Sequence, residues 1–337
     1  MYVLTKYRET RILRDSIFCI AIFLYVFFAH PITTHAQALL TGNTGVNLIS
    51  QPQFPGPNTE VTISLDDYSI DTAGANIAWY LDSIEQPTFR NARATIIKTG
   101  DLGKKVTVRV ALTRNNLPPL TASLDIIPTK IDVILESNTY TPSFYQGRAL
   151  PSNESNVRAI VVVHDGTEVL DTSYTYTWSL GEKVLLGGPI KGKNILTFTM
   201  PHYDDERLSV EVFAPNGKIV GKQSLVLKSS KPELHFYEQS PLRGLFNKEV
   251  TDPLQLIGEE TTLYGEPYFM NLNNANDDSA EFSWAIDGTK TAHDATSKNA
   301  ITLRHVGGKG SASLSLAVVN NKNIPQFVKK AFQIIFE

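Results

Sequence analysis

The sequence predicts an all-β protein in which three β-sandwich units follow one another after an N-terminal signal or anchor helix. Each of the three tryptophans lies in the same alternating apolar pattern, and the tryptophans are 99 and 106 residues apart. About 100 residues is the size of one sandwich domain. No stretch after residue 38 has the periodicity of an amphipathic helix of convincing length. These observations together favour serial sandwiches over a mixed fold.

Composition and charge exclude several classes of function. The chain has 337 residues, of which 42% are hydrophobic, and this is enough for packed cores. Its net charge of −3 disfavours a nucleic-acid binder with a broad basic face. A single cysteine, Cys19, excludes a disulfide framework and a zinc site made of thiolates. We therefore expect stability to rest on core burial alone.

The N-terminal segment has the order of an export signal. An apolar run covers residues 17–29, and small residues at Ala36 and Ala38 follow it. Thirteen apolar residues are too few to span a bilayer, which takes about 20, but suit a signal peptide. We predict cleavage after Ala36 or Ala38, with an uncleaved membrane anchor as the alternative. A buried helix of a cytosolic domain is disfavoured by the basic residues before the run: Lys6, Arg8, Arg11 and Arg14.

The tryptophans are Trp79, Trp178 and Trp284, and each is flanked by apolar residues two positions away on both sides. Side chains at such positions share one face of a strand, so that face is predicted to be buried. The alternative is that the tryptophans are exposed platforms for stacking sugars. The alternation favours a structural core role for all three.

Further strands are predicted on both sides of each tryptophan. An alternating strand follows at residues 106–110, 208–212 and 312–316, and a closing strand at 120–127, 219–227 and 327–336. Opening strands are expected at 46–50, 131–136 and 234–237. The next strands are expected at 61–65, at 157–163, and at 261–264 with 268–272. Residues 241–262, which include Pro241 and Pro253, are expected to form a loop or a short helix.

Domain limits follow from these elements. We predict a signal peptide or anchor at residues 1–38 and sandwiches at 39–128, 129–230 and 231–337. The connectors near Pro128 and Pro232 are only a few residues long. Short linkers that contain proline restrict the swing of one domain against the next. A rod-like arrangement is therefore expected.

The second unit carries a family resemblance. Its residues are Tyr176-Thr177-Trp178-Ser179-Leu180-Gly181-Glu182, followed by Val210-Glu211-Val212 and Asn216-Gly217-Lys218. The three units resemble the tandem bacterial immunoglobulin-like and PKD-like β-sandwich repeats of cell-surface proteins. Ser179, Leu180 and Glu182 depart from the PKD signature Asp-Phe-Gly-Asp-Gly, so the resemblance is at the superfamily level. It implies a spacer, an adhesin stalk or part of a surface appendage such as a pilus, and it brings no catalytic residues.

No catalytic or cofactor-binding constellation is found in the sequence. The histidines lack the spacing of a zinc-binding helix, and there is no Gly-x-Ser-x-Gly motif. Asn276, Asp277 and Asp278 are weak calcium candidates, because one loop supplies several oxygen ligands. The Asp-x-Asp-x-Asp-Gly spacing is absent there, which favours a solvated loop.

These observations favour a non-catalytic exported protein of the cell envelope, periplasm or cell exterior, acting as a rod-like spacer or interaction module. Its partner would be another surface or envelope protein, or a glycan. Contact with a membrane is expected only through residues 17–29, if the signal is not cleaved, and no nucleic acid or cofactor is expected. The alternatives are a carbohydrate- or calcium-binding module and, with less support, a hydrolase whose site is built from loops.

Overall fold

A computed structural model describes residues 46–336, apart from 67–73, 116, 169, 203–204, 241, 257 and 323–324. The predicted signal or anchor at residues 1–38 lies outside the described residues. Regular structure in the described part consists of β-strands and of short 3-10 turns at Pro87–Phe89 and Asp171–Ser173. These described residues form no helix that is long and apolar enough to cross a membrane.

The first sandwich follows the predicted order of strands. Its strands are β1 (Asn47–Gln51), β2 (Glu60–Asp66), β3 (Asn76–Leu81), β4 (Ile84–Glu85), β5 (Ala94–Lys98), β6 (Val106–Arg114) and β7 (Leu117–Ile126). One sheet has the order β1-β2-β5, and the other has the order β4-β3-β6-β7. Trp79 lies on β3 and packs between the sheets with Val61 and Ile63 of β2. The alternation of β2 and β3 therefore places one face of each strand in a common core.

The second sandwich repeats this arrangement. Its strands are β8 (Lys130–Ser137), β9 (Asn156–His164), β10 (Thr175–Leu180), β11 (Lys183–Val184), β12 (Ile190–Lys191), β13 (Ile195–Thr199), β14 (Arg207–Phe213) and β15 (Ile219–Val226). The sheets are β13-β9-β8 and β11-β10-β14-β15, with β12 also paired to β10. Trp178 on β10 packs against Val161 of β9 and Leu208 of β14 in a second separate core.

The third sandwich has a larger set of strands. They are β16 (Glu233–Ser240), β17 (Gly244–Glu249), β18 (Leu254–Leu256), β19 (Glu260–Tyr268), β20 (Ala280–Ile286), β21 (Thr289–Thr291), β22 (Ala300–Arg304), β23 (Gly310–Asn320) and β24 (Gln326–Phe336). One sheet has the order β17-β16-β19-β22, and the other has the order β18-β24-β23-β20-β21. Trp284 lies in the core between them with Phe236 and Leu263. The all-β fold of tandem sandwiches is thus confirmed.

Two sequence-based expectations for the third sandwich are wrong. Residues 241–262 were expected to form a loop or a short helix, but β17 and β18 lie there, and β18 pairs in parallel with the end of β24. Leu254 is buried and Gln255 is exposed, so even this short segment alternates. A separate strand at 268–272 was also expected, yet β19 ends at Tyr268. Phe269 has a φ of 59°, which an extended strand does not allow.

The predicted limits at residues 128 and 230 fall between β7 and β8 and between β15 and β16. Residues 46–337 nevertheless cluster as one compact unit by their contacts. The sandwiches are therefore in contact with one another.

Candidate functional site

The tryptophans are held identically in the three sandwiches. Trp79, Trp178 and Trp284 are at most 1% exposed. Each indole N–H donates to the backbone carbonyl that lies two residues before a strand: Ala92 at 2.8 Å, Lys193 at 2.8 Å and Lys298 at 3.1 Å. A buried indole donor needs such a partner. Because these rings are enclosed, they offer no platform for a sugar.

The calcium candidates lie in the loop after β19. The Asp277 carboxylate accepts hydrogen bonds from the Asn273 backbone N–H at 2.8 Å and from the Ser279 hydroxyl at 2.7 Å. Burial alone would raise its pKa, but these hydrogen bonds and the charge of Lys322 hold the pKa of Asp277 well below its ordinary value. The Asp277 oxygens therefore brace the loop.

The other two candidates do not converge on Asp277. Asn276 Oδ1 accepts from the Lys298 N–H at 3.3 Å, and the solvent-exposed Asp278 lies 3.8 Å from Lys298 Nζ. In the described ranges, no group of three or more His, Cys, Asp or Glu side chains is arranged to hold a metal ion. The calcium site stays a prediction.

A cleft of about 890 Å³ lies between the first and second sandwiches. Its lining includes Ile49 of β1, Ile127 after β7 and Ile219 of β15. These three side chains are 41–49% exposed, which is unusual for isoleucine. Charged and polar side chains border them, Asp125 and Lys218 among them. The cleft therefore combines an apolar lining with a polar rim, which is typical of binding sites.

Two glycines make the close approach between these sandwiches possible. Gly103 and Gly166 both have positive φ, of 72° and 77°. A Cβ on Gly103 would lie 2.4 Å from the Asp165 carbonyl oxygen, and a Cβ on Gly166 would lie 2.6 Å from that of Leu102. A hydrogen bond from Thr129 Oγ1 to the Val220 carbonyl, at 2.9 Å, ties the connector to β15. Backbone therefore packs directly on backbone at this joint.

The joint between the second and third sandwiches is more extensive. The connection between β8 and β9, residues 138–155, extends from the second sandwich onto the third; we call it the docking segment. Tyr140 N–H donates to the Met270 carbonyl at 2.9 Å, and Phe269 N–H donates to the Tyr140 carbonyl at 2.8 Å. The docking segment thus exchanges backbone hydrogen bonds with the residues that directly follow β19.

Aromatic rings of both sandwiches interlock beside these hydrogen bonds. Phe144 meets Tyr237 edge-on with ring centroids 4.8 Å apart, and Tyr145 meets Tyr268 at 5.1 Å. Tyr237 and Tyr268 are buried, and their hydroxyls are 2.7 Å apart. Edge-to-face pairs of this kind stabilise by about 0.5–1.5 kcal/mol each beyond area burial. The aromatic contacts therefore fix the docking segment on the sheet of β16 and β19.

A buried carboxylate lies under the docking segment. Glu266 of β19 is 4% exposed, and its oxygens accept from the Tyr140 hydroxyl at 2.5 Å and from Asn299 Nδ2 at 3.1 Å. Burial raises the pKa of Glu266 to about 7, although the hydrogen bonds from Tyr140 and Asn299 oppose the rise. Burial and the nearby Glu266 carboxylate also raise the pKa of Tyr140. The carboxylate thus links both sandwiches, and among the described residues it has no cationic partner.

A second polar contact closes the other side of this joint. Gln326 Nε2 donates to Ser152 Oγ at 2.9 Å and to the Asn153 carbonyl at 3.0 Å. Asn271 Nδ2 donates to the Glu154 carbonyl at 3.1 Å. Amides from the third sandwich therefore satisfy the backbone of the docking segment. Polar groups buried with partners of this kind are costly to separate.

Sequence reasoning did not single out Tyr140, Glu266, Asn299 or Gln326. The sequence did contain a signal: residues 140–145 and 264–269 are both rich in aromatic residues, and the second segment contains one acidic residue, Glu266. A carboxylate inside such a run suggests a buried partner. The identity of that partner, 126 residues away, is set only by the fold.

Comparisons with known proteins concern the sandwich modules. No family model matches the chain, and no curated protein matches it in sequence. Among solved structures, the fibronectin(III)-like modules of Clostridium thermocellum CbhA are 7% identical, with a TM-score of 0.25, over 55% of this chain and 94% of that one. Three N-terminal domains of the bacteriophage RB49 outer capsid protein Hoc are 10% identical, with a TM-score of 0.24, over 87% and 98%. Bacteroides ovatus SGBP-B, solved with a mixed-linkage heptasaccharide, is 10% identical, with a TM-score of 0.21, over 88% and 71%.

Proposed function

We propose that the protein is a non-catalytic, exported spacer of the cell envelope that holds an interaction surface in a fixed orientation. The observation that carries this proposal is the buried joint between the second and third sandwiches. A flexible linker would leave its polar groups in water, whereas here Glu266, Gln326 and Asn271 are committed to the docking segment. Breaking the joint would expose aromatic surface and unpair these groups.

The consequence is that the second and third sandwiches move as one body. Spacers and stalks need this property, because only rigid joints between domains keep the end of the molecule at a fixed distance and orientation from its attachment point. The export signal predicted at residues 1–38 and the absence of cysteine after Cys19 agree with an envelope location. An adhesion role and a role in a surface appendage both remain compatible with such a spacer.

Spin-label distances test the proposal. In a Cys19→Ser background, one label pair is attached through Lys183→Cys and Lys290→Cys, which are exposed sites on the second and third sandwiches. We expect a narrow distance distribution for this pair. A Tyr140→Phe, Gln326→Ala double variant should broaden it, because the side-chain hydrogen bonds from Tyr140 to Glu266 and from Gln326 to Ser152 and Asn153 are lost. A distribution that is already broad in the otherwise unchanged chain would contradict the proposal.

The cleft between the first and second sandwiches favours a second candidate function, a ligand-binding module. The exposed Ile49, Ile127 and Ile219 give an apolar contact area, and Asp125 and Lys218 at its rim can orient a polar ligand such as a glycan. Calorimetric titration with a panel of soluble oligosaccharides tests this candidate. Binding that is lost in an Ile127→Asp variant and retained in Ile134→Asp, an exposed control on β8, would support it.

A further inference from the structure

Three strands occupy equivalent edges in the three sandwiches. β5, β13 and β22 each begin two residues after the carbonyl that accepts the tryptophan N–H. Among the strands that the structure describes, each lies at the end of its sheet and pairs on one side only, with β2, β9 and β19 respectively. An unpaired strand edge is a template for pairing with another chain, and proteins normally protect it with charge or with a covering loop.

The hydrogen-bond pattern shows which backbone groups face the open edge of β13. Val161 N–H donates to the Asn194 carbonyl at 2.9 Å, so Val161 faces β13. Backbone groups alternate along an antiparallel ladder, so Leu196 and Phe198 are bonded to β9. Ile195, Thr197 and Thr199 therefore direct their N–H and C=O groups away from the sheet. In the part of the chain that the structure describes, these groups have no backbone partner.

The same reasoning gives the outward positions of the other two edges. On β5 they are Ala94, Ile96 and Lys98, since Leu65 N–H donates to the Arg93 carbonyl. On β22 they are Ala300, Thr302 and Arg304, since Gly265 N–H donates to the Asn299 carbonyl. The third outward residue is thus a cation in both strands, Lys98 on β5 and Arg304 on β22.

The third outward position of β13 is a threonine, Thr199. On β22, the Ala300 backbone is also covered by its own loop, through hydrogen bonds to Asp294 and Ser297. β13 carries no charged residue along its whole length, Ile195–Thr199. Of the three equivalent edges, β13 alone therefore lacks the cation that discourages strand pairing.

We propose that the open edge of β13 pairs with β13 of a second copy of this chain. The arrangement is antiparallel and centred on Thr197, so Thr197 faces its counterpart and Ile195 faces Thr199 of the other copy. The edge is self-complementary because its outward positions are symmetric about Thr197 and uncharged. The sheets of the two copies then join into one continuous sheet, β8-β9-β13 followed by its two-fold related copy.

Groups at the two ends of β13 fit this arrangement. Lys191 and Lys193 lie just before the strand, and Glu154 lies beside its other end, where its N–H donates to the Met200 carbonyl at 3.2 Å. An antiparallel pair brings Lys193 of one copy to the strand end that Glu154 flanks, on the β9 side, in the other copy. Arg158, the neighbour of Thr197 on β9, is ion-paired to Glu136 on the far side from the open edge. It therefore does not obstruct the pairing.

Exposed apolar side chains lie at the start of β13 and in the segments of chain before it. Ile195 is 38% exposed and Ile190 37%, and Leu170 is 73% exposed. Leu170 precedes Asp171, whose carboxylate accepts from the Val163 N–H on β9 at 3.2 Å. These aliphatic groups would lose water contact when a second copy docks, and this adds hydrophobic stabilisation to the main-chain hydrogen bonds.

Sedimentation equilibrium of the purified chain tests the proposal. The average mass should rise from that of one chain toward that of two as the concentration increases. Thr197→Lys places like charges opposite each other and should raise the dissociation constant by about tenfold. The matched control is Thr302→Lys, at the same position of the protected β22 edge, which should associate like the unmodified chain. A monomeric unmodified chain, or equal effects of both variants, would overturn the proposal.

A disulfide trap gives an independent result that does not depend on how well a lysine variant folds. In the Cys19→Ser background, Thr197→Cys should form a cross-linked dimer on mild oxidation. Directly opposed residues of a hydrogen-bonded pair have Cα atoms about 5.5 Å apart, within the range of a disulfide. Thr302→Cys should associate through its unchanged β13 but form no cross-linked dimer, and cross-linking no faster at 197 than at 302 would contradict the proposal. The spin-label distances within one chain can be measured on monomeric Thr197→Lys, so failure here leaves the test of the spacer function intact.

Discussion

At the scale of single residues, two kinds of buried polar group stabilise this protein: the indole N–H groups of the tryptophans and the carboxylate of Glu266. The indole N–H of each tryptophan has the same partner in the three sandwiches, a carbonyl 13–15 residues further along the chain. Glu266 is different, because it is a buried carboxylate that connects separate sandwiches. The first pattern stabilises each core, and the second stabilises a joint.

Replacing Trp178 by alanine should unfold the second sandwich selectively. Loss of a buried Trp costs about 3–5 kcal/mol, a large part of the roughly 5–15 kcal/mol that stabilises a domain. Denaturant unfolding followed by circular dichroism should show an early transition, while the fluorescence of Trp79 and Trp284 reports the other two sandwiches. Thr177→Ala, the adjacent half-buried control, should unfold like the unmodified chain. An unchanged transition in Trp178→Ala would contradict the core role.

Glu266 should make stability depend on pH. Its pKa is raised to about 7 in the folded chain from an ordinary value of 4.5. The folded state therefore favours the protonated form, and this contribution is fully present below pH 4.5 and lost as pH rises through 7. A rise of this size corresponds to roughly 3 kcal/mol.

The test compares the unmodified chain with Glu266→Gln from pH 4 to 9 by denaturant unfolding. The glutamine keeps an oxygen acceptor and cannot ionise. We expect the unmodified chain to lose more stability than the variant between pH 5 and 8. Parallel pH profiles would show that the buried carboxylate does not titrate in this range.

At the scale of elements, turns determine how neighbouring sandwiches meet. The turns that carry Gly103 and Gly166 approach so closely that no side chain fits between them. The docking segment, in contrast, fills its joint with rings and hydrogen bonds. The first joint depends on the absence of side chains, and the second depends on their identity.

Gly103→Ala should weaken the joint between the first and second sandwiches. Its φ of 72° strains any side chain, and the new Cβ would also clash with the Asp165 carbonyl. Gly74→Ala is the matched control, since it has the same φ and nothing within 4 Å. Labels at Lys98→Cys and Lys183→Cys should show a broader distance distribution in Gly103→Ala than in Gly74→Ala. Equal distributions would mean that the glycine contact does not hold the joint.

At the scale of the whole molecule, export is predicted from residues 1–38, which lie outside the described sandwiches. N-terminal sequencing of protein isolated from its host should give a chain that begins at Gln37 or Leu39. The reason is the short apolar run at residues 17–29, which is followed by small residues suited to cleavage. A product that retains Met1 and sediments with membranes would support the anchor instead.

The sequence by itself determined the class of fold and most strands. Alternation with period two is a local property, so β1–β3, β6–β10, β14–β16, β19–β20 and β23–β24 could be predicted from their own residues. The edge strands β5, β13 and β22 were missed. They are short, and their strand character depends on pairing with β2, β9 and β19, which precede them by tens of residues.

The joints, the cleft and the open edge of β13 were decided only by the tertiary structure. Whether Glu266 is buried depends on a segment that the chain reaches 126 residues earlier, and no local pattern encodes that contact. Likewise, a threonine at 199 in place of a cation becomes meaningful only once β13 is known to lie at an edge equivalent to β5 and β22. Local alternation specifies a strand and the face that it buries. The partners of each face and edge depend on long-range packing, which the burial of apolar surface by the entire chain determines.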